Sequence, residues 1–521
     1  MQQYNLLPTA VADGLTDEQA AIVSRDFSGK DSCLVVQAYA GTGKTHTLYS
    51  FARAHSDATV HYLAFNRSMK EEAERKFRGM KNVRVTTLHG LAYADIGRNF
   101  RDRLGEITPV MLKPLVKKIF PSALRGDASD YYNVAAAIRD CFTLFLGSSE
   151  KSVADCFAAR KRNQEFVKLR ERGLDLDRLA AAVDMLWKNM TTGKGPCGKD
   201  LCMTHNCYLK MYQLSGKSMG SDFVLIDEAQ DVTDCMIGIV EQQAAHKIFI
   251  GDSYQQIYAW NGAVNSLRKL EEAGADVLYL TQSFRCPPAV ARVADKYLRV
   301  LNAKKSYRGS PDAREKGGAT AILARSNASV FREAYNLLRK GLKPGFLGGF
   351  AGYGFEVLLD IWKIFGRHPE KVYDPWLKSM AFRGFDDLVS YADEHDPFLA
   401  ARCNLVKSCG PDVYAMYNAL KKGHVETSRA DVVFSTVHKA KGAEWDKVIL
   451  LDDFADFEKI LNTILTKGTA YTLRREELNL LYVATTRSRH GLRCPSSILL
   501  SDGILNAVRE RIRKGQLKLV D

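Results

Sequence analysis

No stretch of this 521-residue chain stays apolar for the roughly 20 residues that a membrane-spanning helix needs, so no membrane partner is expected. The first residues, from Met1 to Gly14, lack the basic start and apolar run of a secretory leader. The 11 cysteines are an odd number, scattered along the chain and never spaced as C-x-x-C. That sets aside a disulfide framework and points to free thiols in a reducing, intracellular compartment, cytoplasmic or nuclear. The group Cys197, Cys202, His205 and Cys207 reads as a loop with free thiols rather than as a zinc site. Repeats and low-complexity tracts are missing too, and no nuclease motif is evident.

Basic residues, by contrast, are in excess. The chain carries 74 Lys and Arg against 60 Asp and Glu, a net charge of +14. Phosphate backbones are bound through such residues, so a polyanionic partner is favoured, although a basic surface that only aids solubility accounts for the charge equally well. Hydrophobic content of 46% with 26% charged residues is that of a globular protein with a sizeable core. The length suits three or four units at roughly 150 residues each.

Short apolar runs ending in polar or Gly-rich turns recur along the chain. They occur at 33–37, 223–226, 247–250, 276–280, 319–323, 431–434 and 448–451. Apolar runs without alternation suit strands covered on both faces, and the helical patterns between them point to an α/β fold with parallel sheets. Ligands should then gather at the carboxyl ends of the strands. Two stretches differ in texture. Residues 91–200 carry long helical patterns, for example Val153 to Leu169 and Leu176 to Met190, with a basic cluster from Arg160 to Arg172. Residues 366–425 are again mainly helical, and both stretches look like insertions into α/β cores.

The segment from Ala38 to Thr45, AYAGTGKT, follows the first strand and opens a helical stretch. It fits a phosphate-binding loop, with Ala38 where the general pattern has glycine. Gly41 and Gly43 would let the backbone N–H groups of Ala40, Gly41, Thr42 and Gly43 turn toward a phosphate chain. Lys44 would neutralise the β- and γ-phosphates, and Thr45 would ligate Mg²⁺ at the helix start. The strand Phe223 to Ile226 runs into Asp227-Glu-Ala-Gln-Asp231. A carboxylate at the end of a buried strand fits the Mg²⁺-holding acid, here Asp227, and Glu228 is then placed to orient or deprotonate the attacking water. Phosphoryl transfer also needs positive charge where negative charge grows. Arg285, in LTQSFR, and Arg487, in LYVATTR, lie in suitable contexts.

These pieces, in this order, resemble superfamily 1 helicases of the UvrD/Rep type. The resemblance also covers LTDEQ ending at Gln19, YLAFN ending at Asn66, TLH ending at His89 and the segment from Gly251 to Trp260. It continues through SFR, ARSN, the segment from Thr436 to Glu444 and the segment from Glu476 to Arg487. YLAFN, the THxxYLK segment from Thr204 to Lys210 and the Gly262 to Asn265 segment are most similar to the F-box DNA helicases, while no F-box is expected in the 14 residues before the first motif.

The resemblance implies ATP and Mg²⁺ as cofactors and single-stranded DNA or a tailed duplex as partner, with 3′→5′ travel. It implies that Gln19 reads the adenine edge, Phe284 stacks on the base and Glu444 lies near the ribose. Gln255 and Arg285 would sense the γ-phosphate, and Arg487 would act as an arginine finger. Phe65, Asn66, His89, Tyr258, Trp260 and His438 would contact the strand. The sequence departs from the pattern at Asn261, where the family has Arg. A short segment between Asn327 and Thr436 leaves roughly 60 residues for the inserted 2B domain.

The expected architecture is therefore two RecA-like P-loop NTPase cores with helical insertions and ATP in the cleft between them. Core 1A would comprise 1–90 and 201–283, insertion 1B 91–200, core 2A 284–365 and 426–521, and a reduced 2B 366–425. Two other expectations stand beside the helicase. One is a single-stranded-DNA-stimulated ATPase that clamps DNA or strips proteins without processive unwinding. The other is the ATPase subunit of a larger repair or defence complex.

Overall fold

The computed structural model describes residues 14–27, 32–125, 128–198, 201–257, 265–311, 313, 318–381 and 384–520. The chain divides into two compact units. The first runs to Ala38 and resumes over Gly43–Leu280; the second is made of Tyr39–Thr42 and Thr281–Asp521.

The first unit is built on six strands: β1 (Cys33–Ala38), β2 (Val60–Ala64), β3 (Val83–Thr87), β4 (Phe223–Ile226), β5 (His246–Gly251) and β6 (Asp276–Leu280). Their order is β3-β2-β4-β5-β1-β6, and every pair is parallel. The interior strands are mainly apolar and buried along nearly their whole length, as strands covered on both faces are. Alternate residues serve different cores. Leu34, Val36, Tyr62, Leu225 and Ile248 pack with Ile22, Leu48 and Phe51 of the helices Asp17–Val23 and Lys44–Ala54. Val35, Leu63, Val224, Ile226 and Phe249 face a second core, continuous with Phe142, Leu179 and Leu186 of the helical stretch that follows residue 91. That stretch shares its core with the sheet rather than having one of its own.

Within it, the pattern from Val153 to Leu169 forms two helices, Val153–Arg160 and Gln164–Glu171, instead of one. Asn163 takes an extended conformation at the N-cap of the second, which interrupts the helical path there. Arg160 is not simply solvated, since it pairs with Glu150 at 3.2 Å.

The second unit holds β7 (Thr320–Ala324), β8 (Pro344–Phe346), β9 (Val432–Thr436), β10 (Trp445–Leu450), β11 (Tyr471–Arg474), β12 (Ser488–Arg493) and β13 (Leu517–Val520). Five form a parallel sheet in the order β12-β10-β7-β9-β8, and β11 pairs with β13. The helices Phe385–His395, Pro397–Cys409 and Asp412–Gly423 place Leu388, Leu399, Val406 and Leu420 in the core that also contains Ile322, Phe331 and Phe434. The 366–425 stretch is thus fixed against the sheet through a shared apolar interior. Among the described residues, no helix is long and apolar enough to cross a membrane.

Candidate nucleotide site and strand-contact residues

In the first unit the sheet order puts the carboxyl ends of β4, β5 and β1 side by side. The helix Lys44–Ala54 begins just after β1, with Gly43 at its N-cap in the left-handed region at φ 82°. Asp227 follows β4 and Asp252 follows β5.

These ends form a buried polar cluster. Lys44 Nζ lies 3.0 Å from Glu228 Oε1. Burial pulls the Lys44 ammonium pKa down, but Glu228, Asp227 and Asp252 outweigh burial and the net shift is upward. Asp227 is 2% exposed. Burial first and Glu228 second push its carboxyl pKa up, against the opposing pull of Lys44 and Tyr62. The Tyr62 hydroxyl donates to Asp227 Oδ2 at 2.5 Å, and Thr45 Oγ1 approaches the same oxygen at 3.5 Å. The Glu228 N–H donates to Asp227 Oδ1 at 2.9 Å. Glu228 has φ 50°, a left-handed conformation in a non-glycine residue. Such a backbone costs on the order of 1–3 kcal/mol and persists where its surroundings over-determine it. Here Lys44 holds one carboxylate oxygen and Gln230 Nε2 donates to the other at 2.5 Å.

Gln230 also links this cluster to Asp252, whose N–H donates to Gln230 Oε1 at 2.9 Å. The fully buried Asp252 carboxylate accepts from Gln255 Nε2 at 2.8 Å and from Tyr254 N at 3.1 Å. Gln255 is therefore tied to the carboxylate cluster. Gln19 caps its own helix: Oε1 accepts from Thr16 N at 3.1 Å, and Nε2 donates to Thr47 Oγ1 at 3.3 Å.

The second unit includes Tyr39–Thr42. The Ala40 N–H donates to the Tyr482 hydroxyl at 2.9 Å, and the Ala40 carbonyl accepts from the Tyr307 hydroxyl at 2.8 Å. Gly41 has φ 69°, and its carbonyl accepts from Phe284 N at 2.8 Å. A Cβ at Gly41 would lie 2.6 Å from Arg285 Cβ and 2.8 Å from Ser283 Oγ. Gly41→Ala therefore meets both a disfavoured φ and a close approach that no flexible side-chain end relieves. We expect it to lower the thermal midpoint by several degrees and to depress ATP turnover; thermal denaturation with a turnover assay checks this.

Arg285 Nε pairs with Glu444 Oε2 at 2.5 Å, and Glu444 also holds Arg489. Phe284 stands out from the surface, 53% exposed. Arg487 is 2% exposed and donates to the carbonyls of Val483 at 3.0 Å and Ala443 at 3.3 Å.

Matches to known families fall on these same elements. Residues 19–261 match an AAA domain, and residues 413–494 match a UvrD-like helicase C-terminal domain. These matches, one of them to a UvrD-like helicase C-terminal domain, make the chain similar to UvrD-like helicases. It is 28% identical over 511 residues to F-box DNA helicase 1 of Gallus gallus, covering 93% of this chain and 49% of that one. It is 28% identical over 521 residues to F-box DNA helicase protein 1 of Schizosaccharomyces pombe, covering 92% and 57%. To ATP-dependent DNA helicase PcrA of Bacillus subtilis it is 23% identical over 425 residues, covering 68% and 53%. The chain thus spans about half the length of these curated relatives.

In this UvrD-like chain the residues expected to touch a strand are placed as follows. Phe65, half-buried, lines a crevice with His89 and Asp227. Asn66 is exposed, and its side chain caps the helix Arg67–Lys76 by accepting from Met69 N at 3.0 Å. His89 bonds Asn206 at 3.1 Å, and burial lowers its pKa. His438, in the second unit, lies 3.6 Å from Glu476. Tyr258, Trp260 and Asn261 lie outside the described residues.

Sequence reasoning passed over Tyr62, Gln230 and Asp252 as members of the cluster, and Tyr307, Tyr482 and Arg489 in the second unit. Asp252 carried a usable signal, an acid directly after an apolar strand, as at Asp227. Tyr62 carried none, because its reach depends on the β2–β4 register that pairs Leu63 with Ile226.

Proposed function

We propose that this chain is an ATP-driven translocase on single-stranded DNA that moves 3′→5′ and separates tailed duplexes. The observation that carries the reading is the buried Lys44–Glu228–Asp227 cluster with Thr45 beside it, at the carboxyl edge of a parallel sheet. Its support is the match to a UvrD-like helicase C-terminal domain and the printed names of similar proteins, all DNA helicases.

The cluster has a chemical logic. Lys44 and Glu228 neutralise each other at 3.0 Å. A triphosphate seated on the loop competes for the Lys44 ammonium, and Glu228 is released as a base only when substrate is present. Glu228 then takes a proton from water. The water oxygen bonds to the γ-phosphorus, the bond to the β–γ bridging oxygen breaks, and ADP leaves with that electron pair. Thr45 and Asp227 offer hard oxygen donors 3.5 Å apart, which fit Mg²⁺. When bound, that ion neutralises the β- and γ-phosphate oxygens. Tyr62 fixes the Asp227 oxygen that Thr45 approaches. Gln255 reports on the same cluster through Asp252.

We assign Gln19 and Phe284 to the adenine, Glu444 to the ribose, and Arg285 and Arg487 to the charge that grows on the γ-phosphate. Phe65, Asn66, His89, Tyr258, Trp260 and His438 are assigned to the strand, with grip changing through the ATP cycle. A second reading, a clamp or protein-stripping translocase without unwinding, is favoured by the 366–425 stretch. Those residues share the core of the second unit instead of forming a large domain of their own. Service as an ATPase subunit of a repair or defence complex is compatible with either.

The test is a set of duplexes with 3′ or 5′ tails. The helicase reading predicts ATP-dependent separation of the 3′-tailed duplex and little of the 5′-tailed one. Turnover with no separation of either would overturn it in favour of the clamp.

A further inference from the structure

We propose that Phe398, carried by the 366–425 stretch, is a stacking platform for one unpaired nucleobase, in a nucleotide-sized cavity of the second unit. This inference rests on single-stranded DNA being the substrate.

The cavity measures about 390 Å³ and is lined by Arg325, Ser329, Arg332, Phe398, Asp453 and Glu477 among others. That volume lies in the range of small-ligand sites. Phe398 is 45% exposed, although it sits in the first turn of the helix Pro397–Cys409 beside the buried core residue Leu399. The Arg325 guanidinium lies over its ring, 4.8 Å from the centroid. The ring is thus backed by a cation and still presents surface to solvent. This arrangement stacks well on any base, because every base has a π face.

The charges around the ring also fit a polyanion. Glu477 is occupied by Arg325, which donates Nη2 at 2.8 Å and Nε at 3.1 Å. Asp453 accepts the Arg325 and Ser326 N–H groups, both at 2.9 Å, and the Ser326 hydroxyl at 3.0 Å. Both carboxylates are therefore engaged by protein donors. Arg332 is exposed, with a contact of 3.4 Å to the Ser408 hydroxyl. A guanidinium at the cavity mouth suits a backbone phosphate. The His438 ring, already assigned to the strand, stands 6.5 Å from the Phe398 ring, so a strand passing His438 reaches the platform without leaving the second unit. The position is held firmly, because the helix behind Phe398 buries Leu399, Cys403 and Val406 in the unit's core.

Removing the ring should weaken binding through the base and not through the phosphate. Fluorescence anisotropy of a labelled oligothymidylate tests this on wild type, Phe398→Ala and Phe398→Trp. The same measurement is repeated with an abasic strand of equal length. Phe398→Ala is expected to raise the Kd for oligothymidylate by about fivefold or more, the lower end of what one stacked base contributes. Phe398→Trp should bind within twofold of wild type, a margin of about 0.4 kcal/mol. On the abasic strand, wild type and Phe398→Ala should converge. Equal oligothymidylate binding by wild type and Phe398→Ala overturns the platform, as does an equal loss on both strands. Each of those results leaves the translocase reading intact. Wild type that binds neither strand removes that reading and the platform with it.

Discussion

Lys44→Ala is expected to lower ATP turnover by at least about 100-fold while single-stranded DNA binding in the absence of nucleotide stays within a few-fold of wild type. The Lys44 ammonium is mostly buried and sits 3.0 Å from Glu228, in the field of Asp227 and Asp252. Charge of this kind, held in place by fixed partners, acts on developing phosphate charge with little reorganisation. Its removal also leaves the buried Asp227 carboxylate facing the half-buried Glu228 carboxylate. The Asp227 carboxyl already has a raised pKa, by burial first and Glu228 second, and loss of the opposing cation pushes it further up. A carboxyl whose folded pKa exceeds its unfolded value favours the folded state at low pH and loses that contribution as pH rises. The thermal midpoint of Lys44→Ala should therefore fall relative to wild type as pH increases from 5 to 8. A steady-state ATPase assay, an anisotropy titration and a pH series of melting curves check the three parts.

Glu228→Gln is the second large effect. Turnover should fall by about 10²- to 10⁴-fold, the usual contribution of a positioned base. Nucleotide affinity should rise, in contrast to Lys44→Ala. The carboxylate that holds Lys44 is gone, so a triphosphate no longer competes with it for the ammonium. Gln230, which donates to Glu228 Oε2 at 2.5 Å, can still donate to the amide oxygen, so the loop geometry should persist. The left-handed backbone at φ 50° is unaffected by the exchange. A fluorescent-ATP titration paired with single-turnover hydrolysis separates the two effects. Wild-type turnover in Glu228→Gln would remove the base assignment. Weakened nucleotide binding would remove the idea that Glu228 guards Lys44.

Much of the core was legible in the chain because buried parallel strands leave a local mark. Residues 223–226 and 276–280 are strands at the limits read from their apolar runs, and 33–37 and 247–250 differ only at the ends. Less visible were β3 and β12, where Arg84, Arg489 and Arg493 interrupt any apolar run, and β8, which has only three residues. The break at Lys161–Asn163 was hidden by a pattern that keeps helical spacing across it. In the candidate site, loop and carboxylate residues were legible because glycine and acid at a strand end are unusual choices there. Their partners were not. That Tyr62 reaches Asp227, that Gln230 joins Glu228 to Asp252, and that Phe398 lies against Arg325 depends on register and on packing between distant segments. A linear pattern does not encode those contacts.

The mutual hold of Lys44 and Glu228 also gives the proposed motor a resting state. Without nucleotide the Glu228 carboxylate is held by Lys44, so the base is masked until a triphosphate displaces it. The central claim is that this half-buried pair is the switchable heart of a strand-dependent ATPase. Its most direct test is ATP turnover by wild type and Lys44→Ala side by side, each with and without saturating single-stranded DNA. The account predicts turnover by wild type that the strand raises severalfold, and none above background in Lys44→Ala under either condition. Equal turnover by the two proteins, or wild-type turnover indifferent to the strand, would contradict it.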